Sequence, residues 1–79
     1  MKRVDLGKIE GDRSFRVKME IYLYRDAKTI MEFGKGNRKK LEEYMEDRLR
    51  VIEEILNLSR PFKIVDGKDE LLEVGKRDL

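Results

Sequence analysis

The chain has neither cysteine nor histidine among its 79 residues, and these absences exclude much of protein chemistry. Without cysteine there is no disulfide and no thiolate metal site. Without histidine the commonest general base and metal ligand is missing, so no serine or threonine has an imidazole to activate it. We therefore expect that the protein is not an enzyme and has no catalytic residue, metal, cofactor or small-molecule substrate.

Tryptophan and glutamine are also absent and Pro61 is the only proline, whereas 46% of the residues are charged. Few heat-labile side chains together with many Lys, Arg and Glu are typical of proteins from hot environments, so we expect a thermophilic source. No apolar run approaches the roughly 18 residues that a membrane-spanning helix needs, and the first residues lack the apolar region of a secretion signal. We expect a cytoplasmic protein without a membrane span.

The length of the chain predicts a single domain, residues 1–79, with a thin core. Charge is uneven along it: residues 1–40 hold twelve Lys or Arg against six Asp or Glu, and residues 41–79 hold seven against eleven. An anionic ligand would prefer the first half. Alternatively, the two halves of neighbouring copies would attract each other.

The segment Phe15 to Tyr24 has the clearest pattern in the chain. Apolar residues take every second position over ten residues, which is typical of a strand with one buried and one wet face. Gly11-Asp12 suits a two-residue turn to a preceding strand, about Arg3 to Glu10. The register of that hairpin places apolar residues opposite each other, such as Val4 and Met19, and pairs unlike charges on the other face.

A third strand is predicted at about Thr29 to Phe33, after a loop at Asp26–Lys28, so that residues 3–34 form an antiparallel meander. From about 38 to 58 apolar residues recur at spacings of three and four, which predicts a long amphipathic helix across one face of the meander, with Asn37 as its N-cap. The predicted buried residues are the apolar ones of these faces and of the last hairpin. They are Val4, Leu6, Phe15, Val17, Met19, Ile21, Leu23, Met31, Phe33, Leu41, Met45, Leu49, Ile52, Leu56, Phe62, Ile64, Leu72 and Val74.

Residues 62–74 predict a C-terminal hairpin, followed by a mobile tail, residues 75–79. A two-residue turn at Asp66-Gly67 would put Ile64 opposite a charge, so we prefer a five-residue loop. That loop pairs Phe62 with Val74, Lys63 with Glu73, Ile64 with Leu72 and Val65 with Leu71. The predicted fold is α+β in the order β-β-β-α-β-β, an antiparallel sheet with one long helix packed across one face. Whether the hairpin extends the meander stays open.

Three residues of the predicted wet face form an aromatic and aliphatic patch: Tyr22, Tyr24 and Ile30. Such a patch on a small domain usually marks an interface. Glu20 and Glu32 share the face, which favours a protein surface over nucleic acid. The leading hypothesis is therefore a small non-catalytic interaction module that forms a homo-oligomer or binds a protein partner.

The alternative hypothesis is a nucleic-acid-binding domain. Arg16 and Lys18 lie among the tyrosines, as on surfaces that stack bases and hold phosphates. A glycine-rich, basic loop also begins the predicted helix, where a phosphate would balance cations that oppose the helix dipole. Its candidate residues are Lys35, Asn37, Arg38, Lys39 and Lys40. Ordinary i,i+4 ion pairs with Glu42 and Glu43 explain the same loop without a ligand.

Overall fold

The structure is a computed structural model and describes residues 1–76. These residues form two long helices and a three-stranded sheet. The elements are β1 (Lys2–Asp5), a 3-10 turn (Leu6–Lys8), α1 (Asp12–Glu32), α2 (Arg38–Leu56), β2 (Phe62–Asp66) and β3 (Asp69–Val74). The strand order is β1-β2-β3, with β1 parallel and β3 antiparallel to β2. Both helices pack on one face of this mixed sheet.

The predicted meander with a single helix is wrong, because residues 15–24 and 29–33 both belong to α1. In a helix, residues four apart share a side, whereas residues two apart lie about 200° apart. Alternating apolar residues therefore make two stripes on opposite sides of one helix. Val17 and Ile21 are buried in the core, while Phe15 and Met19 face outward.

The signals that suggested turns have other roles at the ends and in the middle of α1. Gly11 immediately precedes the helix and has a φ of 77°. Asp12 lies in the first turn, where a negative charge interacts favourably with the helix dipole. The predicted loop Asp26–Lys28 lies inside the helix, and Ala27 within it is buried. The first strand is shorter than predicted and pairs with β2 rather than with residues 15–24, so that Val4 lies beside Ile64.

Helix α2 confirms the predicted helix within two residues at its end. The Asn37 side chain accepts a hydrogen bond from the Lys40 N–H at 3.1 Å and caps the first turn, as predicted. The helix ends before Pro61, because Asn57 adopts a left-handed conformation with a φ of 50°. The Leu58 N–H then donates to the Glu53 carbonyl at 2.9 Å, which closes the C-terminal turn.

The C-terminal hairpin is confirmed at three of its four predicted pairs: Phe62 with Val74, Lys63 with Glu73, and Ile64 with Leu72. The fourth pair is wrong, since Val65 lies beside Glu70 and Asp66 beside Asp69, across a two-residue turn. Leu71 is the extra residue of a β-bulge that shifts the register by one. The bulge lets the tight turn and the apolar register coexist, and the hairpin continues the sheet from β1.

The core joins all elements. Half of the predicted buried residues are confirmed: Leu6, Val17, Ile21, Leu49, Ile52, Phe62, Ile64, Leu72 and Val74. Three predicted core residues, Phe15, Met19 and Phe33, are exposed instead, because they lie on the outer side of α1 or at its end. Residues 75 and 76 follow β3 without regular structure, and the rest of the predicted tail, residues 77–79, lies outside the described residues. Within residues 1–76 no helix combines the length and apolar character needed to cross a bilayer.

A nearly buried arginine fixes the connection between α2 and β2. The Arg60 side chain is 7% exposed and contacts Glu46 at 2.7 Å and Glu53 at 2.9 Å, both on α2. The hydrogen bonds that Arg60 donates to Glu46, and then to Glu53, raise the pKa of Arg60, against the lowering effect of burial. The guanidinium therefore holds together two carboxylates that would otherwise repel each other.

We expect Arg60→Ala to lower the free energy of unfolding by about 2–4 kcal/mol, because it removes the short, nearly buried ion pairs that join the β2 connection to two carboxylates of α2. Arg50→Ala is the matched control, since exposed Arg50 also pairs with Glu46, at 3.6 Å. Its cost should be about 0–1 kcal/mol. Urea unfolding of both variants measures the difference, and equal costs would contradict the role of Arg60.

Asp5 joins the end of β1 to the turn of the hairpin. One carboxylate oxygen accepts the Gly7 N–H at 2.9 Å and the Gly67 N–H at 3.1 Å. The hydrogen bonds from Gly67 and then Gly7 lower the pKa of Asp5 below its usual value of 3.8. These bonds favour the ionised form, so their contribution to stability is complete above the unfolded pKa and is lost as the pH falls through the lower folded pKa.

We expect Asp5→Asn to be less stable than the parent chain at neutral pH, with a difference that shrinks as the pH drops below about 4. Protonated Asp5 resembles asparagine in charge, which is why the two chains should converge. Thermal unfolding of both chains over a series of acidic buffers measures this. A stability difference that stays constant with pH would contradict the assignment.

Candidate interaction surface on helix α1

Five large apolar residues form an exposed row on α1 and at its C-terminal end. This outer stripe consists of Phe15, Met19, Tyr22, Ile30 and Phe33, which are between 44% and 75% exposed. Spacings of four, three, eight and three place them on one side of a helix. At 1.5 Å per residue the row is about 27 Å long.

The opposite side of α1 is held against α2 by polar contacts as well as by the core. Glu20 on α1 forms an ion pair with Arg48 on α2 at 3.0 Å, with both side chains at least three-quarters buried. Arg13, near the start of α1, donates two hydrogen bonds to the carbonyl of Ile55, which lies in the last turn of α2. Their lengths are 3.1 and 3.3 Å. These contacts fix the rotation of α1, so the outer stripe stays turned away from the core.

A third set of contacts joins α1 to the hairpin. Lys18 forms an ion pair with Asp66 at 2.8 Å, and Arg25 donates to the Leu71 carbonyl at 2.6 Å. These residues, with Ile21 and Tyr22, line a cleft of about 240 Å³ between α1 and the hairpin. Small-molecule pockets usually measure roughly 300–1,000 Å³, so the cleft is small for a ligand site. Because Tyr22 also belongs to the outer stripe, the cleft lies next to that stripe.

The predicted interface residues fall on two different sides of α1. Tyr22 and Ile30 belong to the outer stripe, whereas Tyr24 is half-buried and packs against the core. The strand prediction missed the exposure of Phe15 and Phe33, because it assigned them to the core. The signal that would have found them is the i,i+4 spacing of a helix rather than the alternation of a strand.

The predicted nucleic-acid residues are not brought together. Arg16 and Lys18 lie in the first half of α1, while the basic loop, Lys35 to Lys40, follows its other end. The 14 positions from Lys18 to Glu32 alone separate them by about 21 Å of helix. Arg38 forms the predicted ion pair with Glu42 at 3.0 Å. The stacking surface of a sheet is missing, because the tyrosines here are helical, and phosphate binding by the loop stays a prediction.

Neither a metal-binding cluster within residues 1–76 nor a similarity to a known protein points to a function. Within residues 1–76, no group of three or more acidic side chains is arranged to hold a metal ion. Comparison of the chain with known protein families, curated proteins and solved structures gives no match. The outer stripe is therefore the feature from which function has to be inferred.

We expect Phe15→Ala to change the free energy of unfolding by less than about 0.5 kcal/mol in dilute solution, since surface substitutions cost little. The matched control is Phe62→Ala, because Phe62 is fully buried. That variant should lose about 3–5 kcal/mol. Denaturant unfolding of both variants measures this, and a large loss for Phe15→Ala would mean that Phe15 is buried within its own chain.

Proposed function

We propose that this chain is a non-catalytic interaction module that associates with a second copy of itself through the outer stripe of α1. The proposal rests on the row of five exposed apolar residues along one side of α1. The other side of the same helix is buried in the core. Water-facing helices normally carry polar side chains on their outer side.

Helix α2 provides the comparison within the same chain. Its outer side carries Glu42, Glu43 and Asp47, all exposed, so this protein does solvate a helix with charge where the helix faces water. The outer stripe of α1 has the opposite character. It is rich in aromatic residues and methionine, which are enriched at the centres of protein interfaces. Large apolar side chains exposed together on one side of a helix usually mark an interaction site.

A second copy is a fitting partner for a domain with so thin a core. Association adds stability to a small folded chain, and proteins with a heat-adapted composition often use it. A stripe about 27 Å long on a helix about 10 Å wide gives a contact at the low end of specific interfaces, below about 1,200 Å² in total. We therefore expect weak, concentration-dependent association of a protein that acts in the cytoplasm.

The nucleic-acid hypothesis has no comparable support. It needs one continuous basic surface, but one group of basic residues lies in the first half of α1 and the other follows its C-terminal end. Lys18 is also paired with Asp66 and Arg38 with Glu42, so two of these cations already have carboxylate partners.

Light scattering coupled to gel filtration, from micromolar to millimolar concentration, tests the proposal. We expect the mass to rise from 9.5 kDa towards twice that value. Met19→Lys should need a several-fold higher concentration to associate, because it places a charge in the outer stripe. Ser59→Lys is the control, since it adds the same charge at an exposed position between α2 and β2.

Two results would refute the self-association. The first is a mass of 9.5 kDa at every concentration. The second is association of Met19→Lys that is as strong as that of the Ser59→Lys control, which would place the contact elsewhere.

A further inference from the structure

We infer that two copies pair their α1 helices antiparallel, about a two-fold axis that crosses the outer stripe at the level of residue 24, so that the two outer stripes cover each other in a closed dimer. This inference rests on the proposed self-association and adds its orientation and register. It follows from the order of apolar and charged residues along the exposed side of α1.

The register comes from the positions of the stripe residues. An antiparallel pair centred on residue 24 places Phe15 opposite Phe33 of the second copy and Met19 opposite Thr29. It also places Tyr22 opposite Asp26. All six residues are exposed in the single chain, so each is available for such a contact.

Asp26 decides between the two orientations. It occupies the position between Tyr22 and Ile30 on the outer side of α1 and forms no ion pair with any residue of the range 1–76. A parallel pair in register would bring the two Asp26 carboxylates together inside an apolar contact, where like charges repel strongly. In the antiparallel pair each carboxylate instead meets the hydroxyl of a Tyr22, which is a good hydrogen-bond donor.

The charges that flank the stripe agree with this orientation. Lys18 flanks the first half of the stripe, while Glu32 flanks its second half, which also holds Asp26, Arg25 and Lys28. The antiparallel arrangement carries Glu32 of the second copy towards Lys18. A parallel arrangement in register would instead place the two copies of Glu32 at the same level. Lys18 is already paired with Asp66, so Glu32 would extend an existing ion pair at the edge of the cleft.

Single cysteines introduced into this cysteine-free chain test the orientation directly. Met19→Cys and Thr29→Cys are prepared separately and oxidised alone and as an equal mixture, at a concentration where light scattering shows association. In the antiparallel pair, residue 19 faces residue 29 of the second copy. Two copies of residue 19 would lie about 15 Å apart along the helix, beyond the roughly 7 Å between Cα atoms that a disulfide allows.

We expect the mixture to give the 19–29 disulfide in several-fold excess over either homodisulfide and over disulfides of an Asp47→Cys control on the outer side of α2. Predominant 19–19 and 29–29 disulfides would overturn the antiparallel pairing while leaving self-association intact. A dimer without disulfides above the control level would overturn it as well. Masses that continue to rise beyond twice the chain mass would also overturn the closed antiparallel pair. A chain that stays monomeric would instead refute the proposed self-association itself.

Discussion

The rest of the structure depends on one constraint: α1 carries apolar residues on two opposite sides, and a chain of 79 residues has a core for only one of them. Val17 and Ile21 are taken into that core with residues from α2 and all three strands or their turns. Once this side is chosen, Phe15 and Met19 must face away from the molecule, because they lie on the opposite side of the same rigid helix.

Arginine and lysine side chains hold α1 in this orientation. Arg13 and Arg48 join α1 to α2, Arg25 and Lys18 join it to the hairpin, and Arg60 joins the end of α2 to the sheet. Arginine suits such positions because its planar group makes several directed hydrogen bonds at once. In a domain with few buried side chains, these contacts restrict the orientation of the helices in a way that the core alone would not.

Composition and short-range patterns predicted part of this fold. The spacing of Leu49 and Ile52 predicted α2, and Asn37 correctly marked its first turn. The pairing of Ile64 with Leu72 followed from matching apolar residues, although the bulge at Leu71 did not, because a bulge changes the register without changing the pattern. The alternation from Phe15 to Tyr24 failed for a physical reason. Two stripes of i,i+4 residues on a helix look the same as one face of a strand, and only tertiary packing separates them.

The wrong strand prediction and the exposed outer stripe have the same origin. A helix with a single apolar side would have shown the usual spacing of three and four, and it would have left no outer stripe. The two outer strands of the sheet are poorer sites for association: β1 has only four residues with exposed Lys2 and Arg3, and β3 is distorted by its bulge. A helix face also differs from a strand edge in its consequence. A two-fold helix pair covers both stripes and then stops growing, whereas an open strand edge invites further copies to add.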